Sequence, residues 1–94
     1  MNLKNIKIAI PNKETCKVVQ EKLFELGVMW GCNNKRVSNI TSNHLYVSGS
    51  FILTYTGGNS SDIHFRNHTN KEIHYKSILE ESISWRNIIQ MRKK

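Results

Sequence analysis

Apolar positions along this chain follow two different periods. Leu3, Ile6, Ile8 and Ile10 alternate with polar Asn5 and Lys7, the pattern of a half-buried strand, and Pro11 ends it. The period then lengthens. Cys16, Val19, Leu23 and Leu26 recur at steps of three and four, one face of a helix, with Lys17, Glu21 and Glu25 on the opposite side. Asn12 is placed to cap this helix, Glu14 lies in its first turn where the dipole favours a negative charge, and Gly27 suits the left-handed end. Val28–Gly31 then reads as a strand, which makes a β-α-β unit.

The second half is read from turns. Cys32–Asn43 is a polar, turn-rich connection, long for a small domain, and is expected to be a mobile loop or a contact surface. His44–Val47 and Phe51–Thr56 read as strands joined by a tight turn at Ser48-Gly49-Ser50. Leu45 and Val47 would share a face with Phe51, Leu53 and Tyr55, or with Ile52 in a shifted register. Gly57–Ser61 is a flexible loop without the spacing of a phosphate-binding loop. Ile63–Arg66 alternates again, with Ile63 and Phe65 inward. After a turn at Asn67–Asn70, Lys71–Tyr75 is the last strand. Ser77 and Glu80 fit a capping box that opens a second helix through Trp85 and Ile89 to the basic tail 91–94. The expectation is a single α+β domain over residues 1–94. It has β-α-β followed by two antiparallel hairpins and a C-terminal helix, forming one small, mainly antiparallel sheet with helix packed on one face.

Charge changes the picture more than composition does. Fourteen Lys and Arg stand against seven Asp and Glu, a formal charge of +7. Such an excess favours polyanions, chiefly nucleic acid, through counterion release. No apolar run approaches the ~18 residues of a membrane span, so a cytoplasmic protein with no membrane partner is expected. Cys16 falls on the apolar helix face as an inert thiol, and Cys32 lies in the polar connection.

Candidate contact residues follow from these elements. Lys35, Arg36, Arg66, Lys71 and Lys76 supply cations for phosphate, and Trp30, Tyr46, Tyr55 and Tyr75 supply flat rings for stacking, with Tyr46 assigned to the nucleic-acid surface. The signature sequences of the common RNA-binding folds are absent. Trp85, Arg86 and Ile89 give the last helix more large apolar surface than a tail needs, and they are the candidate partner-binding face. Of the four histidines, His44, His64, His68 and His74, only His64 and His68 cluster with an acid, Asp62. The turn at Asn67–Asn70 spoils that geometry, and no Cys or His pair has zinc spacing, so no metal or cofactor is expected. His64 and His74 could serve as an acid–base pair in a small ribonuclease. No motif fixes a nucleophile, so the expectation is a protein that is not an enzyme.

The segments CKVVQEKLFELGVMWG, HLYVSGSFILTYTG, DIHF and KEIHYKSIL together resemble a class of small accessory proteins encoded by large, T-even-like tailed phages. In that class a helix ending in Leu-Gly leads through an aromatic strand into a small antiparallel sheet. The resemblance lies in patterning over residues 5–80. It implies a role in host takeover or counter-defence inside the infected bacterial host. One member type is the RNA-binding, antitoxin-like protein used against an RNA-bound ribonuclease toxin. The partner implied is RNA or an RNA–protein complex. The alternative is an inhibitor that binds a host or defence-system protein through its sheet edge or C-terminal helix. Either surface could also support a homodimer.

Overall fold

The structure is a computed structural model, and it describes residues 2–81. The elements are β1 (Ile6–Ala9), α1 (Lys13–Glu25), β2 (Met29–Trp30), β3 (His44–Val47), β4 (Ile52–Thr56), α2 (Ser61–Asn67), β5 (Lys71–Glu72) and α3 (Tyr75–Leu79). The fold class is α+β as the patterning predicts. The strands form one sheet in the order β2-β4-β3-β1-β5. The pairs β1–β3 and β3–β4 are antiparallel, whereas β1–β5 and β2–β4 are parallel, so the sheet is mixed.

α1 forms where its signals place it. The Asn12 side chain accepts the Thr15 N–H at 2.8 Å, and Gly27 takes a φ of 102° just past the helix end. Cys16, Val19, Leu23 and Phe24 are buried against the sheet face that carries Ile6, Ile8, Leu45, Val47 and Leu53, with Ile78 of α3 in the same core. The register pairs Leu45 with Tyr55 and Val47 with Leu53, which settles the two readings of the hairpin: Leu53 and Tyr55 share the face of Leu45 and Val47. Gln20 of α1 is fully buried. It grips the 32–43 connection at Ser38 through both ends of its amide, donating to Ser38 O at 2.7 Å and accepting from Ser38 N at 3.0 Å.

Three elements differ from the sequence reading. The segment expected to be a strand at Ile63–Arg66 is helical, part of α2, and there is no second hairpin among the described residues. Its buried residues are Ser61 and Phe65, one helical turn apart, while Ile63, read as inward, is 60% exposed. Four residues satisfy both an alternating and a helical template. α2 lies on the second face of the sheet, against β3 and β4, so helices cover both faces rather than one.

The strand expected at Lys71–Tyr75 is reduced to Lys71–Glu72 and runs parallel to β1. The helix after it begins before Ser77. His74 caps α3, its Nδ1 accepting the Lys76 N–H at 3.2 Å, so Ser77 lies inside the helix and the Ser77–Glu80 capping box does not form. The later part of the predicted C-terminal helix and the tail 91–94 lie outside the described residues.

Candidate functional site

Strand alternation puts Lys7, His44, Tyr46 and Thr56 on the sheet face opposite the apolar core. All but Thr56 are buried, because α2 lies over them. Lys7 is 8% exposed, and its ammonium sits under the C-terminal end of α2. There it donates to Phe65 O at 2.5 Å and His68 O at 3.0 Å and stands 4.7 Å from the centre of the Phe65 ring. A cation at the carbonyls of a helix C-terminus is the arrangement the helix dipole favours.

At the other end of α2 the polar side chains form a chain. His44 Nδ1 is hydrogen bonded to Ser61 Oγ at 2.5 Å, Ser61 Oγ to Thr56 Oγ1 at 2.9 Å, and Thr56 Oγ1 to Tyr46 OH at 2.8 Å. The His44 ring stacks on Phe65 at 4.2 Å. Its Nε2 makes no hydrogen bond with another described residue and stands 3.5 Å from Asp62 Oδ1. Burial pushes the His44 pKa down, against the pull of the Asp62 and Glu72 carboxylates, and His64 and Lys7 add to the lowering. Burial also lowers His68 and raises the Tyr46 phenol.

Asp62, His44 and Ser61 have the composition of a nucleophile relay, but the geometry does not serve one. Ser61 is 2% exposed and its hydroxyl is shared with Thr56, so no substrate carbonyl can reach it. His64 lies on α2 and His68 just past its end, with ring centres 5.6 Å apart, and both pack against Tyr46. No group of three or more His, Cys, Asp or Glu side chains among the described residues is arranged to hold a metal ion. His74 caps α3, whereas His64 is on α2 facing Tyr46, and the structure shows no contact between the two rings.

The open side of His44 faces a cleft of about 350 Å³. It lies where β1 and β5 end, where β3 begins, and beside the first residues of α2 and α3. The carboxyl ends of parallel strands are a common place for such a cleft. Ile10, Pro11 and Ile73 give it apolar walls. Asp62, Glu72 and the stacked rings of His74 and Tyr75, 4.6 Å apart, give it polar and flat ones.

The residues predicted to contact nucleic acid are dispersed. Lys35 and Arg36 are exposed beside β2, at one edge of the sheet, and Lys71 is on β5 at the other. Arg66 is on α2 and Lys76 on α3, both exposed, over opposite sheet faces. Tyr46 is 3% exposed with its hydroxyl bonded to Thr56, so it presents no face for a base to stack on.

A different ring is exposed. Tyr55 is 47% exposed and meets the edge of Trp30 at 6.1 Å. Trp30 Nε1 donates to Arg36 O at 2.9 Å, which ties the Lys35-Arg36 segment to the same spot. Trp85, Arg86 and Ile89 lie outside the described residues.

The cleft and the α2 seat were missed in the sequence, although parts of both were visible. His44 and Tyr46 are alternate residues of one strand, and Ser60-Ser61-Asp62 is a helix-opening pattern. Nothing local links Lys7 to Phe65, which is 58 residues away. No known family model matches the chain, and no curated protein or solved structure matches it significantly. No helix among the described residues is long and apolar enough to cross a membrane.

Proposed function

We propose that this protein is a small, basic, non-enzymatic binding module that engages RNA or an RNA–protein complex through the β2 edge. One arrangement carries the reading. The Lys35-Arg36 segment is held on Trp30 by the indole N–H, and Trp30 in turn backs the exposed ring of Tyr55. Cations beside a rigidly supported flat ring suit a single strand, whose phosphates meet the charge while a base stacks on the phenol. The net charge of +7 acts in the same direction. The biological setting, an accessory protein of a tailed phage that counters host defence in the cytoplasm of the infected bacterium, rests on the resemblance in patterning alone.

The test is binding to a short single-stranded RNA at two salt concentrations. Tyr55→Ala is expected to cost about 1–3 kcal/mol of binding. Lys35→Ala/Arg36→Ala is expected to flatten the salt dependence by about two phosphate contacts. Tyr46→Phe is expected to leave affinity unchanged. If RNA binds equally well without Tyr55, Lys35 and Arg36, the reading is wrong.

A second reading, an inhibitor that docks on a host or defence protein by its sheet edge, has one observation in its favour. The Lys71 and Ile73 N–H groups point to β1, so that of Glu72 points outward from an edge with no neighbouring strand among the described residues. If strand addition there is the function, Glu72→Pro abolishes capture of the partner and leaves RNA binding intact.

A further inference from the structure

We infer that the cleft at the carboxyl ends of β1 and β5 is a binding site for a guanidinium group. The inference is independent of the RNA reading. The first argument is charge. In a chain of net charge +7, no Lys or Arg among the described residues lines this cleft, whereas Asp62 and Glu72 both do. Neither carboxylate pairs with a Lys or Arg among the described residues, and both act on His44 through space. Lys7, the cation that also reaches His44, is committed to the carbonyls of Phe65 and His68.

The second argument is hydrogen bonding. His44 is 6% exposed and borders the cleft, and its Nδ1 is used by Ser61 while its Nε2, 3.5 Å from Asp62 Oδ1, has no hydrogen bond among the described residues. With its proton on Nδ1, the His44 ring presents Nε2 as an acceptor, so two carboxylates and one ring nitrogen border a space of about 350 Å³, too far apart to clasp a metal ion but ample for one planar group of N–H donors.

Shape decides which cation. The stacked rings of His74 and Tyr75 form a flat wall. A guanidinium is planar, stacks on such rings, and donates in several directions at once to separate carboxylates, whereas an ammonium is a strongly hydrated point charge. A divalent metal does not fit, because no three ligating side chains among the described residues come together. The same chemistry has two sources, an arginine side chain of a protein segment and a free alkylguanidine.

The experiment follows the amide and histidine-ring NMR signals of the whole protein at low salt during titration with three probes: a blocked Gly-Arg-Gly peptide, n-butylguanidine, and a blocked Gly-Lys-Gly peptide. Saturable shifts at Ile73, His74 and Tyr75 are expected with both guanidines, and weaker ones with the lysine peptide. Both carboxylates lie on the surface, so Asp62→Asn/Glu72→Gln should fold. It is expected to lose about tenfold or more in affinity, as charged hydrogen bonds are removed. His74→Asn retains a side-chain acceptor for the α3 cap but removes the flat wall, and is expected to erase the preference for arginine over lysine. Tighter binding of the arginine peptide than of n-butylguanidine assigns the site to a protein segment. Equal or weaker binding assigns it to the guanidinium group alone. The inference is overturned if the guanidines cause no saturable shift at the cleft, if the double variant binds them as well as the parent, or if guanosine shifts these residues and the guanidines do not.

Discussion

On one side of the sheet, Ile6, Ile8, Leu45, Val47 and Leu53 meet Cys16, Val19, Leu23 and Phe24 of α1 with almost no polar atom between them. On the other side, Lys7, His44, Tyr46 and Thr56 meet Ser61, Phe65 and His68 of α2, and most contacts are hydrogen bonds or ring stacks. The same strands supply both faces at alternate positions. The apolar face is held by area removed from water, which is indifferent to direction and to pH. The polar face depends on particular atoms being aligned and on particular groups staying neutral. The first is expected to set global stability, and the second to set whether α2 stays seated and whether the cleft beside it keeps its shape.

The largest effect should come from the apolar face. Leu45 is fully buried at the middle of the sheet, opposite Ile8 on one side and Tyr55 on the other. Leu45→Ala removes its packing and leaves a cavity, a change that costs about 2–5 kcal/mol in such sites. For a domain of this size that is a large part of the whole. Urea denaturation should show a lower midpoint, with α1 and α2 lost together. A small effect on global stability would mean that the division of labour between the faces is not as drawn.

Next comes Lys7→Met. Methionine keeps the unbranched stem under α2 but cannot donate to Phe65 O and His68 O. Leaving those carbonyls without their charged donor is expected to cost about 1–3 kcal/mol. The loss should appear in α2 first, as faster amide exchange across Ser61–Asn67 while α1 exchange stays slow. Equal acceleration in both helices would show that the two faces unfold as one unit and that α2 has no stability of its own.

The contrast between the faces also explains what could be read from the chain. α1 was legible to within a residue or two because its cap, its spacing and its closing glycine are all local. The β3–β4 hairpin was legible for the same reason. α2 was not. Ile63–Arg66 alternates as well as any strand, and its helical state is decided by Ser61 and Phe65 finding His44 and Lys7, which lie 17 and 58 residues away. The cleft was illegible on the same grounds, since Pro11, His44, Asp62 and Glu72 meet only through the order of the strands. Exposed charge could be counted in advance. The loss of Tyr46 to the interior could not, because alternation alone does not say that the polar-looking face will be covered.

The smallest effect at neutral pH, and the sharpest division between the faces, should come from His44→Phe. The phenyl ring fills a similar volume and keeps the stack on Phe65, and the Ser61 hydroxyl retains Thr56 as a partner. Acid is what separates variant from parent. Burial holds the folded-state pKa of His44 below its unfolded value, outweighing Asp62 and Glu72, and His68 is lowered in the same way. The folded protein therefore binds fewer protons than the unfolded chain in this range. The stability these rings allow is fully present above the unfolded value of about 6.5 and is lost as pH falls through their folded values. The parent should lose protection of α2 amides on acidification below about pH 6.5, with α1 amides responding less. His44→Phe should lose less over the same range, retaining only the part due to His68. If the variant is as acid-sensitive as the parent, His44 does not carry the response. If α1 responds as strongly as α2, titration is not confined to the polar face, and the two faces are not separable by protonation.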